Sequence, residues 1–405
     1  TGIRYKDKGG GMMSRLFYVS DFLKEGISDS QAIKDCLNSA KSCDERTIIF
    51  DKKDYYIDAA ITLPSDTTVI IDGVMIKQND FVHDNVFRAD NMETDPDNPY
   101  GYPLSIKAAK DIKIIGKNDA LIEGPEKHTS FWHPHFNEEQ LAIGDYWGWR
   151  GFQMLISRCE NFEIRDITFK KVKSWTISAD RSKNLHFSDL RFYSTVKNGD
   201  GLNIRAGCSN VVIENISGET TDDLIAINSA TDVNLVFPFK QYVFPLIPSN
   251  ICKDEESIED RYITDVSVRN VYTSGVSGVA LLSRHGNKIK NVCIENVIDT
   301  HTGPFIHPLY PNATNLKLVY SYAGYFGETY TPGDISGVRI SNAHSRFFKT
   351  TVFFGDVVHD VCIENVTQQR SDGELITLHE QQDLKEIKVF CKNDTNNSGF
   401  TAKSI

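Results

Sequence analysis

The sequence has 405 residues, 40% of them hydrophobic and 24% charged, which is enough to bury a large core and too balanced for a disordered chain. A formal net charge of -11 argues against nucleic acid or an anionic membrane as partner, since either calls for a basic surface. No run reaches the roughly 18 consecutive apolar residues that a membrane span needs, and a carbohydrate partner fits the balance better.

The opening TGIRYKDKGGG lacks the apolar core of a signal peptide and looks like a processed end. Further on, Ser28 and Gln31 have capping-box spacing, and Ile33, Cys36, Leu37 and Ala40 fall on one helical face. These residues predict an N-terminal strand and capping helix within residues 15–45. The helix would cover the open end of a stack of strands.

From residue 109 a phrase recurs in which polar residues precede alternating apolar positions, often with an Asn. It reads AKDIKIIGKN, CENFEIRDITF, SKNLHFSDLRF, CSNVVIENISG and ITDVSVRNVYT, then IKNVCIENVID, DISGVRISNAH, VHDVCIENVTQ and LKEIKVFCKN. Asn161 to Asn184 is 23 residues, and Asn184 to Asn210 and Asp265 to Asn291 are 26 each. Period-2 alternation marks strands, and a fixed period of this size without intervening helices predicts a β-solenoid. The LxxLxL phrase of a leucine-rich repeat is absent. A solenoid grows in one dimension, so residues 1–405 are expected as a single domain despite their number.

Three segments interrupt the rhythm and read as inserted loops: 125–150, 233–262 and 301–334. The cysteines, Cys36, Cys43, Cys159, Cys208, Cys252, Cys293, Cys362 and Cys391, lack CxxC spacing and are expected to be mostly free and buried. Only Cys36 and Cys43 are close enough in sequence to invite a disulfide.

Acidic residues gather in two consecutive coils, KNGDGLNI (197–204) and TTDDLIAIN (220–228). Aligning Leu202 with Ile225 and Ile204 with Ile227 stacks Asp200 on Asp223, with Asp222 adjacent. Three carboxylates so close repel one another unless they face water or bind a cation. Glycoside hydrolysis needs such a set: an acid for the leaving oxygen and a carboxylate to activate water or attack the sugar. An exposed acidic edge is the bland alternative. The parity of Asp200 with inward Leu202 requires a corner, which Gly199 and Gly201 are expected to supply through backbone angles open to glycine.

The phrases NGDG and DDLIAINS resemble the NTDG and DDCVAINSG motifs of the polygalacturonase-like glycoside hydrolases of family 28. ALIEGPE (120–126), FQMLISRCENFEIRDITF (152–169) and KSWTIS (173–178) extend the likeness. It implies an all-β, right-handed parallel β-helix of the pectin-lyase-like kind and an inverting mechanism. In that scheme Asp222 is the general acid, Asp200 and Asp223 hold and deprotonate water, and Asn198 lies at the substrate. Secretion or a periplasmic location follows from the same resemblance, although free cysteines also suit a reducing compartment.

Two family motifs are missing. Where GHG is expected the chain has Gly278, Val279 and Ala280, with His285 and Arg284 beyond. Where RIK is expected GPFIH (303–307) places Phe305 and His307. The cations that would hold a uronate are therefore absent from their usual positions, which favours a substrate other than ordinary polygalacturonate, with Arg284 or Arg205 as replacement cations for the minority case.

Trp132, Trp147 and Trp149 in one loop, and Tyr310, Tyr322 and Tyr325 in another, suit the walls of sugar subsites. Arg284, His285, His307, Trp147 and Trp149 join Asn198 as candidate substrate-binding residues. The spacing of His128, His133 and His135 fits no standard metal site, and neither a metal nor a cofactor is expected. Large loops favour action at a chain end or on short oligosaccharides. Other classes of function remain compatible: a lyase, epimerase or fructan transferase on the same scaffold, or a phage tail-spike or glycan-binding module. A tail spike would be trimeric, and a monomer is expected here.

Overall fold

The computed structural model describes residues 4–6, 14–99, 101–127, 148–231, 234–236, 243–284, 286–304, 306, 313, 315–322 and 334–390. They form a right-handed parallel β-helix built on one seventeen-stranded and one ten-stranded sheet.

The recurring phrases are the long strands of the larger sheet, and their apolar positions stack from coil to coil. Ile164, Phe187, Ile213, Val268, Ile294, Ile340 and Ile363 pair in one continuous register. All seven are fully buried, and each contributes roughly 1.5–3 kcal/mol by leaving water. Facing them across the interior, the ten-stranded sheet stacks Ile177, Leu202, Ile225, Val279, Val319, Val352 and Ile376.

The Asn of the phrase turns the strand. Asn215, Asn270 and Asn296 adopt φ of 57°, 57° and 59° in the middle of their strands, a left-handed conformation that Asn tolerates better than other side chains. Their amides form a ladder along the solenoid: Asn215 Nδ2 donates to Asp189 Oδ1 at 3.0 Å, Asn270 to Asn215 at 2.9 Å and Asn296 to Asn270 at 2.8 Å. A second ladder runs through Asn161, Asn184 and Asn210.

The expected cap is present as a helix over Asp29–Ala40, and Ser28 Oγ accepts from Gln31 N at 3.2 Å. Ile33, Cys36, Leu37 and Ala40 join the main core. The described cysteines are all free, including Cys36 and Cys43, and all but Cys293 are buried. Cys293 corrects the expectation for its site: it lies between buried Val292 and Ile294 on the outward parity of its strand.

A larger correction concerns 301–334. That segment contains a strand of the ten-stranded sheet, Lys317–Ser321, which pairs with Ser277–Leu282 and with Thr350–Phe354. The coil after 277–282 therefore passes through 317–321, and Phe305 and His307 lie outside the described residues.

Candidate active site

The two acidic phrases belong to neighbouring coils of the ten-stranded sheet. Leu202 pairs with Ile225 and Ile204 with Ile227, the register expected from the sequence. Residues of opposite parity, Ser178, Asn203, Ala226, Ala280 and Tyr320, line up on the outer face.

Asp223 has the parity of inward Ile225, yet its Oδ1 accepts from Ser277 Oγ at 2.6 Å and from outward-facing Tyr320 Oη at 2.9 Å. The alternation is broken one residue later, where Leu224 and Ile225 both enter the core. The corner at Asp200 has a different cause from the one expected. Gly199 and Gly201 do not take positive φ; Asn198 does, at 52°. The glycines are there for space: a Cβ on Gly199 would lie 1.7 Å from Ser194 Oγ and one on Gly201 2.5 Å from the Leu224 carbonyl. Gly199→Ala is accordingly expected to destabilise the protein by about 2 kcal/mol or more, as overpacking does, read as a lowered Tm in thermal unfolding.

Asp200 is held by its backbone, whose carbonyl accepts from Thr176 N at 2.9 Å and Thr176 Oγ1 at 2.8 Å. Its side chain is 4% exposed, as is that of Asp223. Half-buried Asp222 stands beside them, with its carbonyl bonded to Thr220 Oγ1 at 2.8 Å.

Burial raises the pKa of all three carboxyls. Asp200 is pushed well above the ordinary value by burial and by the charges of Asp222 and Asp223. Burial and the charge of Asp223 push Asp222 up to about 8. Asp223 rises to about 6: burial raises it, while the hydroxyls of Ser277 and Tyr320 and the nearby charge of Lys317 favour its anion. The cluster thus keeps protons at neutral pH and has one member equipped to be ionised, the division of labour that acid-base chemistry requires.

The other sequence candidates separate. Asn198 lies half-buried in the corner before Asp200 and acts as its turn residue. Arg284 is buried at the end of the strand Ser277–Leu282, and its amide donates to Ser229 Oγ at 3.0 Å. Trp149 is corrected: it is 1% exposed, its Nε1 donates to the Gly101 carbonyl at 3.0 Å, and the guanidinium of Arg150 lies 4.4 Å from its ring centre. Its faces and donor are used internally, so it packs and does not offer a stacking surface. Trp147, His285 and His307 lie outside the described residues, as do Trp132, His128, His133, His135, Tyr310 and Tyr325. Gly278, Val279 and Ala280 do not stand level with the aspartates. Ser277 pairs with Asp223, and Val279 is a core residue.

Sequence reasoning missed Ser277, Tyr320 and Thr176. Tyr320 was concealed by reading its strand as loop, although the alternation in KLVYS was a signal for it. Beside the site, Trp149, Phe152, Leu155, Trp175, Leu246 and Ile247 form a second apolar cluster. Arg181 ties segment 249–256 to the same edge: Nη1 donates to Ser249 Oγ at 2.8 Å and Nε to Glu256 Oε1 at 2.6 Å. Both features lie on or against the coil preceding that of Asp200.

Residues 149–238, which carry all three aspartates, match the family model described as Glycosyl hydrolases family 28. No curated protein matches the sequence. Among solved structures, an exopolygalacturonase from Thermotoga maritima has 15% identity and a TM-score of 0.52, covering 95% of this chain and 90% of its own. PfbA, a surface adhesin of Streptococcus pneumoniae, has 14% identity and a TM-score of 0.55, covering 93% and 86%. A tailspike protein of E. coli bacteriophage HK620 has 11% identity and a TM-score of 0.54, covering 98% and 66%. Likenesses this remote carry the fold and leave activity to the site. In its central coils and in the scaffold beneath them, the chain is similar to the polygalacturonase-like glycosyl hydrolases of family 28.

Proposed function

We propose that the protein is a glycoside hydrolase that cleaves a poly- or oligosaccharide with inversion, using Asp222 as general acid and Asp200 with Asp223 to hold and deprotonate water. The observation that carries this reading is the unequal treatment of three clustered carboxyls. Asp222 is pushed up to about 8 and so holds a proton at neutral pH. Asp223 receives two hydroxyl donors on one oxygen, which stabilise the carboxylate that a base must present.

The step is a single displacement. Asp222 gives its proton to the glycosidic oxygen as the bond to the anomeric carbon breaks; water attacks the opposite face and loses a proton to the Asp200–Asp223 pair. The products are a free hydroxyl on the leaving sugar and an inverted hemiacetal.

The test is product release from plant, bacterial and host glycans, with the anomer of the first product read by NMR. Release of an inverted product from any of them supports the proposal. Binding without release, or a retained anomer, overturns it and favours a binding module or a different mechanism on the same scaffold.

A further inference from the structure

Adjoining the aspartates, on the side of the earlier coils, the outer face carries a second set of polar groups that the mechanism does not use. The strands Ile177–Asp180 and Leu202–Arg205 place Ser178 level with Asn203, and Asp180 and Arg205 follow two residues on. All four are at most 1% exposed.

Within this patch the hydrogen-bonding capacity is largely unspent. Ser178 Oγ, Asp180 Oδ1 and Arg205 Nε and Nη1 have no partner, and the amide of Asn203 falls short of full hydrogen-bonding geometry although it lies close enough to Asp200 to favour that carboxylate. Arg205 Nη2 reaches only the Ala230 carbonyl, at 3.5 Å. The arginine is nonetheless held in place, its guanidinium 4.6 Å from the ring centre of Trp175, which stacks on Phe152 at 5.0 Å. Leaving so many buried groups unmet costs roughly 1–3 kcal/mol each, and a concentration of them at one place calls for a ligand or water that meets them.

The composition of the set discriminates among ligands. Donors (Arg205 Nε and Nη1, Asn203 Nδ2) alternate with acceptors (Asn203 Oδ1, Asp180 Oδ1), and Ser178 Oγ is both. A carboxylate or sulfate only accepts: it would satisfy the arginine and then face the oxygen of Asp180. Vicinal hydroxyls accept and donate from neighbouring atoms and match both halves. We infer that Ser178, Asp180, Asn203 and Arg205 form a binding subsite for an uncharged, hydroxyl-rich sugar ring next to the catalytic aspartates.

The inference rests on the glycosidase reading for the roles of the aspartates, but the binding it asserts can be measured without turnover. Burial and the neighbouring Arg284 cation weaken the hold of Arg205 on its proton, and Asp200 and Asp180 act in the opposite sense.

The experiment is calorimetric titration of wild type, Asn203→Ala and Ser178→Ala with neutral gluco-, galacto- and xylo-oligosaccharides and with oligogalacturonate, alongside Tm for each protein. The expected result is binding of at least one neutral series in preference to oligogalacturonate. Asn203→Ala should weaken it about tenfold or more and Ser178→Ala a few-fold, with Tm unchanged or raised because an unmet buried amide has been removed. Preferential binding of oligogalacturonate, or a fall in Tm with unchanged sugar affinity, overturns the inference, the latter by showing that the patch holds structural water only. If neutral sugars bind as expected and none is hydrolysed, the subsite stands and the glycosidase reading fails.

Discussion

Asp222→Asn is expected to lower kcat by about two orders of magnitude or more while leaving the protein at least as stable as wild type. The loss follows from removing a general acid, whose contribution is typically 10²–10⁴-fold, and Asn is close enough in shape to leave the coil unaltered. The stability effect follows from linkage. The carboxyl is raised from 3.8 to about 8 in the fold, so the native state holds this proton more tightly than the unfolded chain does. Its stabilising contribution is complete below the unfolded value and is lost progressively as pH rises through that window. At neutral pH wild type therefore carries a penalty that the amide does not, on the order of 1–2 kcal/mol after allowing for partial exposure. Thermal unfolding of the two proteins from pH 4 to pH 8 should show Asp222→Asn gaining on wild type as pH rises. A variant that loses activity and stability together would indicate a structural aspartate.

This opposition of stability and activity is a property of the cluster, not of one residue. Asp200, Asp222 and Asp223 are each raised by burial, and repulsion from neighbouring carboxylates adds to it at Asp200 and Asp222. A scaffold of stacked Ile, Leu and Val ladders tolerates the cost because its stability is summed over many coils. The same ladders made the fold legible in the sequence. Buried positions repeat every second residue within a strand and recur at the same place in the next coil, so aligning Leu202 with Ile225 was enough to set Asp200 beside Asp223.

Legibility ended where this pattern thins. The strand Lys317–Ser321 is five residues long and carries none of the Asn-centred phrase. Read as loop, it displaced the following coil and hid Tyr320. The corner at Asp200 was placed correctly but misattributed: glycine suggested special backbone angles, whereas crowding by Ser194 and Leu224 is what requires it. Trp149 shows the converse limit. A tryptophan in an insertion fits a sugar platform and a packing anchor equally well, and only the Gly101 carbonyl and the Arg150 guanidinium decide for the anchor.

The second large effect is expected at Asp223, and its supporting hydroxyls give it a signature in pH. If Asp223 must be ionised and Asp222 protonated, kcat/KM describes a bell with an acid limb near 6 and an alkaline limb near 8. The limbs belong to the coupled cluster as well as to the two residues named. Asp223→Asn should abolish the acid limb together with at least about two orders of magnitude in rate. Tyr320→Phe tests how the anion is held. The phenol donates to Asp223 Oδ1 at 2.9 Å, and a donor to the charged form lowers a carboxyl's pKa. Its removal should move the acid limb to higher pH by about half a unit to one unit, since a hydrogen bond to a charged group is worth roughly 1.5–3 kcal/mol and Ser277 remains to supply part of it. The alkaline limb should stay in place, and rate at the new optimum should fall far less than in Asp223→Asn. A purely structural Tyr320 would lower rate across all pH without moving either limb. A shift of the acid limb toward lower pH would remove Asp223 from the role of base and pass it to Asp200.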